Sequence, residues 1–255
     1  MTDATGPDAA PGAVEIPGAV EIRGAVELPA RREALTLRTA DGLDLVAELA
    51  LPVGREPVAT MVALHPLPTH GGFMDSHIIR KAAARLPALA DLAVLRFNFR
   101  GVTSPHGTSA GEFGDGVDEQ HDLAAALDLV AARGLPNPWL VGWSFGTEVV
   151  LKYGLRHPIV GAILLSPPLH RATDAEVAAW AGSGKRLVAV VPELDDFLRP
   201  EEAREQFRSV PELEFVAVAG GRHLWVGEAQ TSRVLTEIVA RLNPAALPLP
   251  TTYSR

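Results

Sequence analysis

A serine with glycine two places to either side, Gly142-Trp143-Ser144-Phe145-Gly146, lies between the apolar run 139–143 and a helical segment starting at Phe145. A strand that turns straight into a helix leaves no room for side chains flanking the turn, and it lifts the serine hydroxyl into the open. The helix that follows adds unpaired N–H groups and a positive dipole end, which favour developing negative charge. Such a setting suits nucleophilic attack by Ser144. A serine attacks weakly, however, unless a base takes its proton and a third group holds that base. In this arrangement the partners follow in the order serine, acid, histidine. The run 187–191 leads into Glu193, Asp195 and Asp196, and the run 215–218 leads into Gly220-Gly221-Arg222-His223.

Eight histidines compete for the role of base. His121 and His157 fall in or at the end of helical patterns, His77 at a helix start, and His106 and His170 in loops. His65, His70 and His223 lie near the ends of apolar runs, and of these only His223 follows the acid. Glu193 comes too early in the turn, which leaves Asp195 and Asp196 as candidate acids. Acyl transfer also needs donors for the oxyanion. The backbone N–H of Phe145, the residue after the nucleophile, is one. The other is expected from the segment His65-Pro66-Leu67-Pro68, where both prolines lack an N–H and Leu67 alone can donate. His65 and His70 have no third ligand close in sequence, so no metal is expected there.

These residues need elements to carry them. Leu35 and Leu37, then Leu43, Leu45, Ala47 and Leu49, alternate with polar residues around Asp41-Gly42, the pattern of a β-hairpin. Beyond it, apolar runs at 58–64, 93–99, 139–143, 159–165, 186–191 and 213–218 alternate with helical segments at 76–89, 118–132, 145–156, 200–207 and 229–242. Runs apolar throughout are strands covered on both faces. Their alternation with helices predicts βαβ units and a doubly wound, three-layer α/β domain with a mostly parallel sheet. Ligand sites in such sheets lie at the carboxyl ends of the strands, where Ser144, the acid and His223 all fall.

Taken together, these features resemble the α/β-hydrolase superfamily from Glu33 to about Asn243. His65-Pro66-Leu67-Pro68 with Gly71-Gly72 and Met74, followed by Leu95-Arg96-Phe97-Asn98-Phe99-Arg100-Gly101, is similar to a group of small bacterial hydrolases carrying H-P-H-P-x-x-G-G-x-M and L-R-F-N-F-R-G-V-G. Leu67 replaces the group's second histidine, and Val102-Thr103 stands where V-G is usual. The group's acidic D-x-F/V-x-P matches Asp195-Asp196-Phe197, with Pro200 one place late, and this favours Asp195 as the acid. The resemblance implies an eight-stranded, mostly parallel sheet. Only about seventeen residues separate Pro168 from Arg186, room for one short helix near 174–181, so no large cap domain is expected. Leu67, Phe73, Met74, Phe145 and Trp225 are candidates for an apolar mouth or for ordinary packing.

Composition limits the rest. The 255 residues contain no cysteine, which excludes disulfides, thiolate metal sites and a thiol nucleophile. A net charge of −8 with scattered Lys and Arg argues against a nucleic-acid partner. No apolar run reaches the roughly 20 residues of a membrane helix, and the N-terminus lacks the pattern of a secretory signal, so a soluble cytoplasmic protein is expected. Three copies of a hexapeptide, at 12–17, 18–23 and 24–29, read as a flexible tail over 1–30, ahead of a domain at 31–245 and a C-terminal tail at 246–255. The expected protein is a cofactor-free serine hydrolase acting on a small ester or related acyl compound. The alternatives are an acyltransferase or peptidase using the same residues, or an interaction protein on the same fold.

Overall fold

The computed structural model describes residues 19–254. Its centre is an eight-stranded sheet. In chain order the strands are β1 (Arg31–Arg38), β2 (Asp44–Leu51), β3 (Ala59–Leu64), β4 (Leu92–Phe97), β5 (Pro138–Trp143), β6 (Gly161–Leu165), β7 (Arg186–Pro192) and β8 (Glu214–Val218). Across the sheet they run β1-β2-β4-β3-β5-β6-β7-β8. The β1–β2 and β2–β4 pairings are antiparallel and the others parallel. Thr39 and Leu43 close the β1–β2 hairpin, with Gly42 at φ 88°, a region glycine enters without strain.

Helices α1 (His77–Ala90), α2 (Glu119–Ala132), α3 (Phe145–Tyr153), α4 (Asp174–Ala178), α5 (Pro200–Gln206) and α6 (Glu228–Leu242) cover both faces. The period-two geometry of each strand divides its side chains between two cores. Val62, Leu64, Leu95 and Phe97 pack with Leu123, Val149 and Val150 of α2 and α3 on one face. Met61, Ala63, Val94 and Val141 pack with Ile78, Leu86, Val234 and Ile238 of α1 and α6 on the other. Because both faces are covered, every residue of β3, β4 and β6 is buried and their sequences show no alternation. α4 is the whole of the regular structure between β6 and β7, so no cap domain lies over the sheet.

The expected terminal tails differ from the structure. Residues 1–18, with the first hexapeptide copy, lie outside the described residues. The second and third copies are docked: Ala19–Glu21 pairs antiparallel with Thr252–Ser254, and Leu28 is buried with its N–H donating to the Ala84 carbonyl. At the other end Ala246, Leu247 and Leu249 pack on the α1/α6 core. Glu228 anchors the N-terminal segment by accepting from the Gly24 N–H, Lys81 and Arg85. Partial burial works to raise its pKa, but these donors outweigh it and hold the carboxyl down at about 2. Apolar side chains at Leu28, Leu247 and Leu249 explain the docking, since each removes area from water that a free tail would expose.

Candidate active site

Ser144 sits between the end of β5 and α3, at φ 52° and ψ −115°. A non-glycine residue there is strained by ~1–3 kcal/mol and persists because its surroundings over-determine it. The Ser144 N–H donates to the Leu165 carbonyl of β6 at 2.9 Å, and its carbonyl accepts from the Thr147 N–H and hydroxyl at 2.9 and 2.6 Å. The flanking glycines answer to sterics. A Cβ at Gly142 would lie 2.6 Å from the Gly146 backbone, and one at Gly146 would lie 2.2 Å from the Leu64 carbonyl oxygen. Neither neighbour can give way, because both are main chain.

The structure brings the three residues picked out at strand ends together. Nε2 of His223 lies 2.9 Å from Ser144 Oγ, and its Nδ1 lies 3.0 Å from both carboxylate oxygens of Asp195. Asp195 is buried and also accepts from the Phe197 and Leu198 N–H groups, at 2.8 and 3.3 Å. A carboxylate fixed in this way selects the tautomer with the proton on Nδ1, which leaves Nε2 free to accept from the serine. Asp196 is exposed on the pocket rim, and Glu193 accepts from the Gly220 N–H away from the histidine. The His223 carbonyl is held in turn by the Trp143 indole N–H at 3.1 Å and the Ser166 hydroxyl at 3.2 Å. Sequence reasoning did not find these two supports. Trp143 adjoins the serine, so the turn bearing the hydroxyl also steadies the loop bearing the imidazole.

Leu67 and Phe145 border the same pocket as Ser144 and His223. Among the described residues neither N–H has a hydrogen-bond partner, as an oxyanion donor requires. The Leu67 loop is tight: its carbonyl accepts from the His70 and Gly72 N–H groups at 3.0 Å each, and a Cβ at Gly72 would lie 2.0 Å from the Pro66 carbonyl oxygen. His65 is wholly buried at its base. Its Nδ1–H donates to the Pro66 carbonyl at 2.7 Å and its Nε2 accepts from the Phe99 N–H at 3.0 Å. Both nitrogens are therefore occupied in the neutral ring. Burial opposes protonation and lowers the pKa to about 4, with the Pro66 carbonyl pulling weakly the other way. Among the described residues no cluster of three or more side chains suited to a metal ion occurs.

The Arg96–Gly101 segment braces this loop and does not enter the pocket. Arg96 is buried against Glu48 and Asp75, Asn98 accepts from the Met74 N–H at 2.9 Å, and Arg100 makes a buried pair with Asp122. The pocket itself, about 550 Å³, is lined by Pro66, Leu67, His70, Phe145, Pro168, His170, Arg171, Phe197 and Leu224 besides Ser144, His223 and Asp196, with Asp195 buried behind the histidine. Two of the five apolar candidates, Leu67 and Phe145, line it. Met74 and Trp225 are wholly buried in the core, and Phe73 borders the neighbouring cleft beside Arg100. Phe197 and Leu224, which the sequence reading passed over, follow Asp195 and His223 within two residues. They remain 54% and 55% exposed and form an open apolar rim.

No protein-family model matches the chain. It is 36% identical over 120 residues to an uncharacterized protein of Rickettsia prowazekii, a match covering 45% of this chain and 46% of that one, less than half of either. Among solved structures it is similar to an alpha-beta serine hydrolase homologue from Coxiella burnetii, at TM-score 0.69 and 26% identity, covering 82% of this chain and 97% of that one. It is likewise similar to a serine hydrolase without lid from Xanthomonas campestris, at TM-score 0.66 and 27% identity, covering 88% and 98%. A Pyrococcus furiosus esterase shares the fold at TM-score 0.67 and 19% identity over 84% of this chain and 93% of its own. The chain thus has the α/β-hydrolase fold without a large cap, and its structural neighbours are serine hydrolases and esterases. No helix among the described residues is long and apolar enough to cross a membrane.

Proposed function

We propose that the protein is a serine hydrolase that cleaves a small ester or related acyl substrate through an acyl-enzyme. The observation that carries this reading is the continuous line of hydrogen bonds from Ser144 Oγ through His223 to Asp195, opening on a pocket of about 550 Å³. In the forward step His223 Nε2 takes the Ser144 proton as Oγ bonds to the acyl carbon. Asp195 holds the imidazolium that forms, and the Leu67 and Phe145 N–H groups bind the oxyanion. Collapse expels the alcohol, which receives the proton from His223. Water then attacks the acyl-serine by the same route, giving the carboxylic acid and restoring the hydroxyl. The open apolar rim suits acyl or alcohol groups that reach the pocket without a lid.

A fluorophosphonate probe tests the reading, alongside a series of p-nitrophenyl esters from C2 to C12. The expected result is a single adduct on Ser144 and ester hydrolysis, both lost in Ser144→Ala. Folded wild-type protein that gives no adduct and no hydrolysis would overturn it.

A further inference from the structure

The segment between β6 and α4 supplies Pro168, His170 and Arg171 to the pocket wall, yet it contains no regular structure of its own. It is also strained: Ser166 at φ 50° and Leu169 at φ 53° both occupy the left-handed region. A buried side chain of α3 holds it from inside. Glu148 of α3 is wholly buried, and its carboxylate accepts from three successive amides, those of His170 at 2.6 Å, Arg171 at 3.1 Å and Ala172 at 2.6 Å. Burying a carboxylate is costly unless strong donors surround it, and an apolar residue would fill the same space without that cost. Glu148 stands four residues after Ser144, in the first turn of the helix that Ser144 precedes. It therefore fixes the wall relative to the nucleophile. The consequence reaches the base as well, since the His170 ring meets Phe197 edge-on at 5.7 Å and Phe197 meets His223 at 4.5 Å. A second tether lies outside, where Arg171 pairs with the exposed Asp115 at 2.7 Å.

We infer that the segment 166–173, through Pro168, His170 and Arg171, forms a wall of the acyl or alcohol subsite and that Glu148 is the positioning residue that sets its shape, so that a long acyl group that reaches the wall depends on Glu148 more than acetyl does. This rests on the reading of Ser144 as the nucleophile. Glu148 touches no reacting atom; it acts through three backbone amides.

The test compares wild type with Glu148→Gln, which keeps the shape but loses the charge and one acceptor. p-Nitrophenyl acetate and octanoate are the substrates, and hydrogen exchange is followed at 170–172. Faster exchange at those amides is expected, with the KM for octanoate rising about tenfold relative to that for acetate while kcat falls less than about threefold. A structural role alone would lower both kcat values together and leave the KM ratio unchanged. If Glu148→Gln does not fold, Asp115→Asn loosens the segment from its exposed tether and should raise the octanoate KM by a smaller factor. An unchanged octanoate-to-acetate KM ratio in the folded variant, or unchanged exchange at 170–172, overturns the inference. Wild type that is not labelled at Ser144 overturns the hydrolase reading instead.

Discussion

Acid should weaken this protein through one residue in particular. His65 is wholly buried with both ring nitrogens engaged, and its pKa falls from the ordinary 6.5 to about 4. Above pH 6.5 the ring is neutral whether the chain is folded or not, and it adds no pH dependence. Between 6.5 and about 4 the unfolded chain binds a proton that the folded chain refuses, so stability falls as the pH falls. The slope is about 1.4 kcal/mol per pH unit. Over the whole window the loss comes to about 3 kcal/mol, a large part of the ~5–15 kcal/mol that holds a domain together. Below about 4 both states are protonated and this contribution stops changing. The assay is urea denaturation at pH 7 and 4.5 for wild type and His65→Asn, whose side chain can still donate and accept but does not titrate. His77 and His157, half-buried and also lowered by burial, remain in both proteins and cancel in the difference. Wild type should lose about 2–3 kcal/mol more than the variant between the two pH values. Parallel losses would refute the assignment of His65 as a neutral, buried brace.

Asp195→Asn should cut kcat by about 10⁴-fold, because an amide facing Nδ1 turns the imidazole to the tautomer that cannot accept from Ser144. Asp196→Asn, on the exposed rim, should change kcat less than about threefold, since exposed charges contribute little. Steady-state hydrolysis of p-nitrophenyl esters separates them, and a reversed order would show that the acid is misassigned. Leu67→Pro should remove one oxyanion donor and lower kcat by about 10²-fold or more. Leu67 already sits at φ −55°, an angle proline adopts, so the melting temperature should move little. Gly146→Ala drives a Cβ to 2.2 Å from the Leu64 carbonyl and should destabilise by at least ~2 kcal/mol, measured by denaturant titration.

The strands and helices were legible because burial on both faces writes them as apolar runs between helical segments. The run expected at 93–99 became β4 at Leu92–Phe97, and the segment expected at 118–132 became α2 at Glu119–Ala132. At residues 154–156 the helical pattern ran past the end of α3 into a short 3₁₀ turn, since Pro158, two residues beyond Arg156, stops an α-helix from continuing. The hairpin of Thr103–Ser104 with Gly107–Thr108 was not anticipated, two residues a side being too few to show a period. The terminal segments were misjudged for a related reason. Gly and Pro signal an irregular chain, but they do not report that Leu28 finds a pocket or that Glu228 captures the Gly24 N–H.

The candidate site divides along the same line. Ser144 and His223 could be read because chemistry fixes both their type and their place at strand ends, Leu67 because its neighbours cannot donate, and Asp195 was separated from Asp196 only by the D-x-F/V-x-P resemblance. The supports obey no comparable rule. Trp143, Ser166, His65 and Glu148 act on backbone groups far away in sequence, the distances being 80, 57, 34 and 22 to 24 residues. Any donor or acceptor with the right reach would serve there, so no residue type announces itself. Yet three of these side chains join the turn of the serine, the loop of the histidine and the pocket wall, and His65 ties the oxyanion segment to Phe99, so that no loop of the site stands alone. Reactivity should therefore be less sensitive to changes on the exposed rim, at Asp196 or Leu224, than to changes at buried residues that never meet a substrate. A substitution such as Trp143→Phe, which keeps the ring and removes only the indole N–H, should lower kcat with little change in KM. The His223 carbonyl would keep one donor of two, and the loss would fall on the alignment of the imidazole and not on the walls that bind substrate.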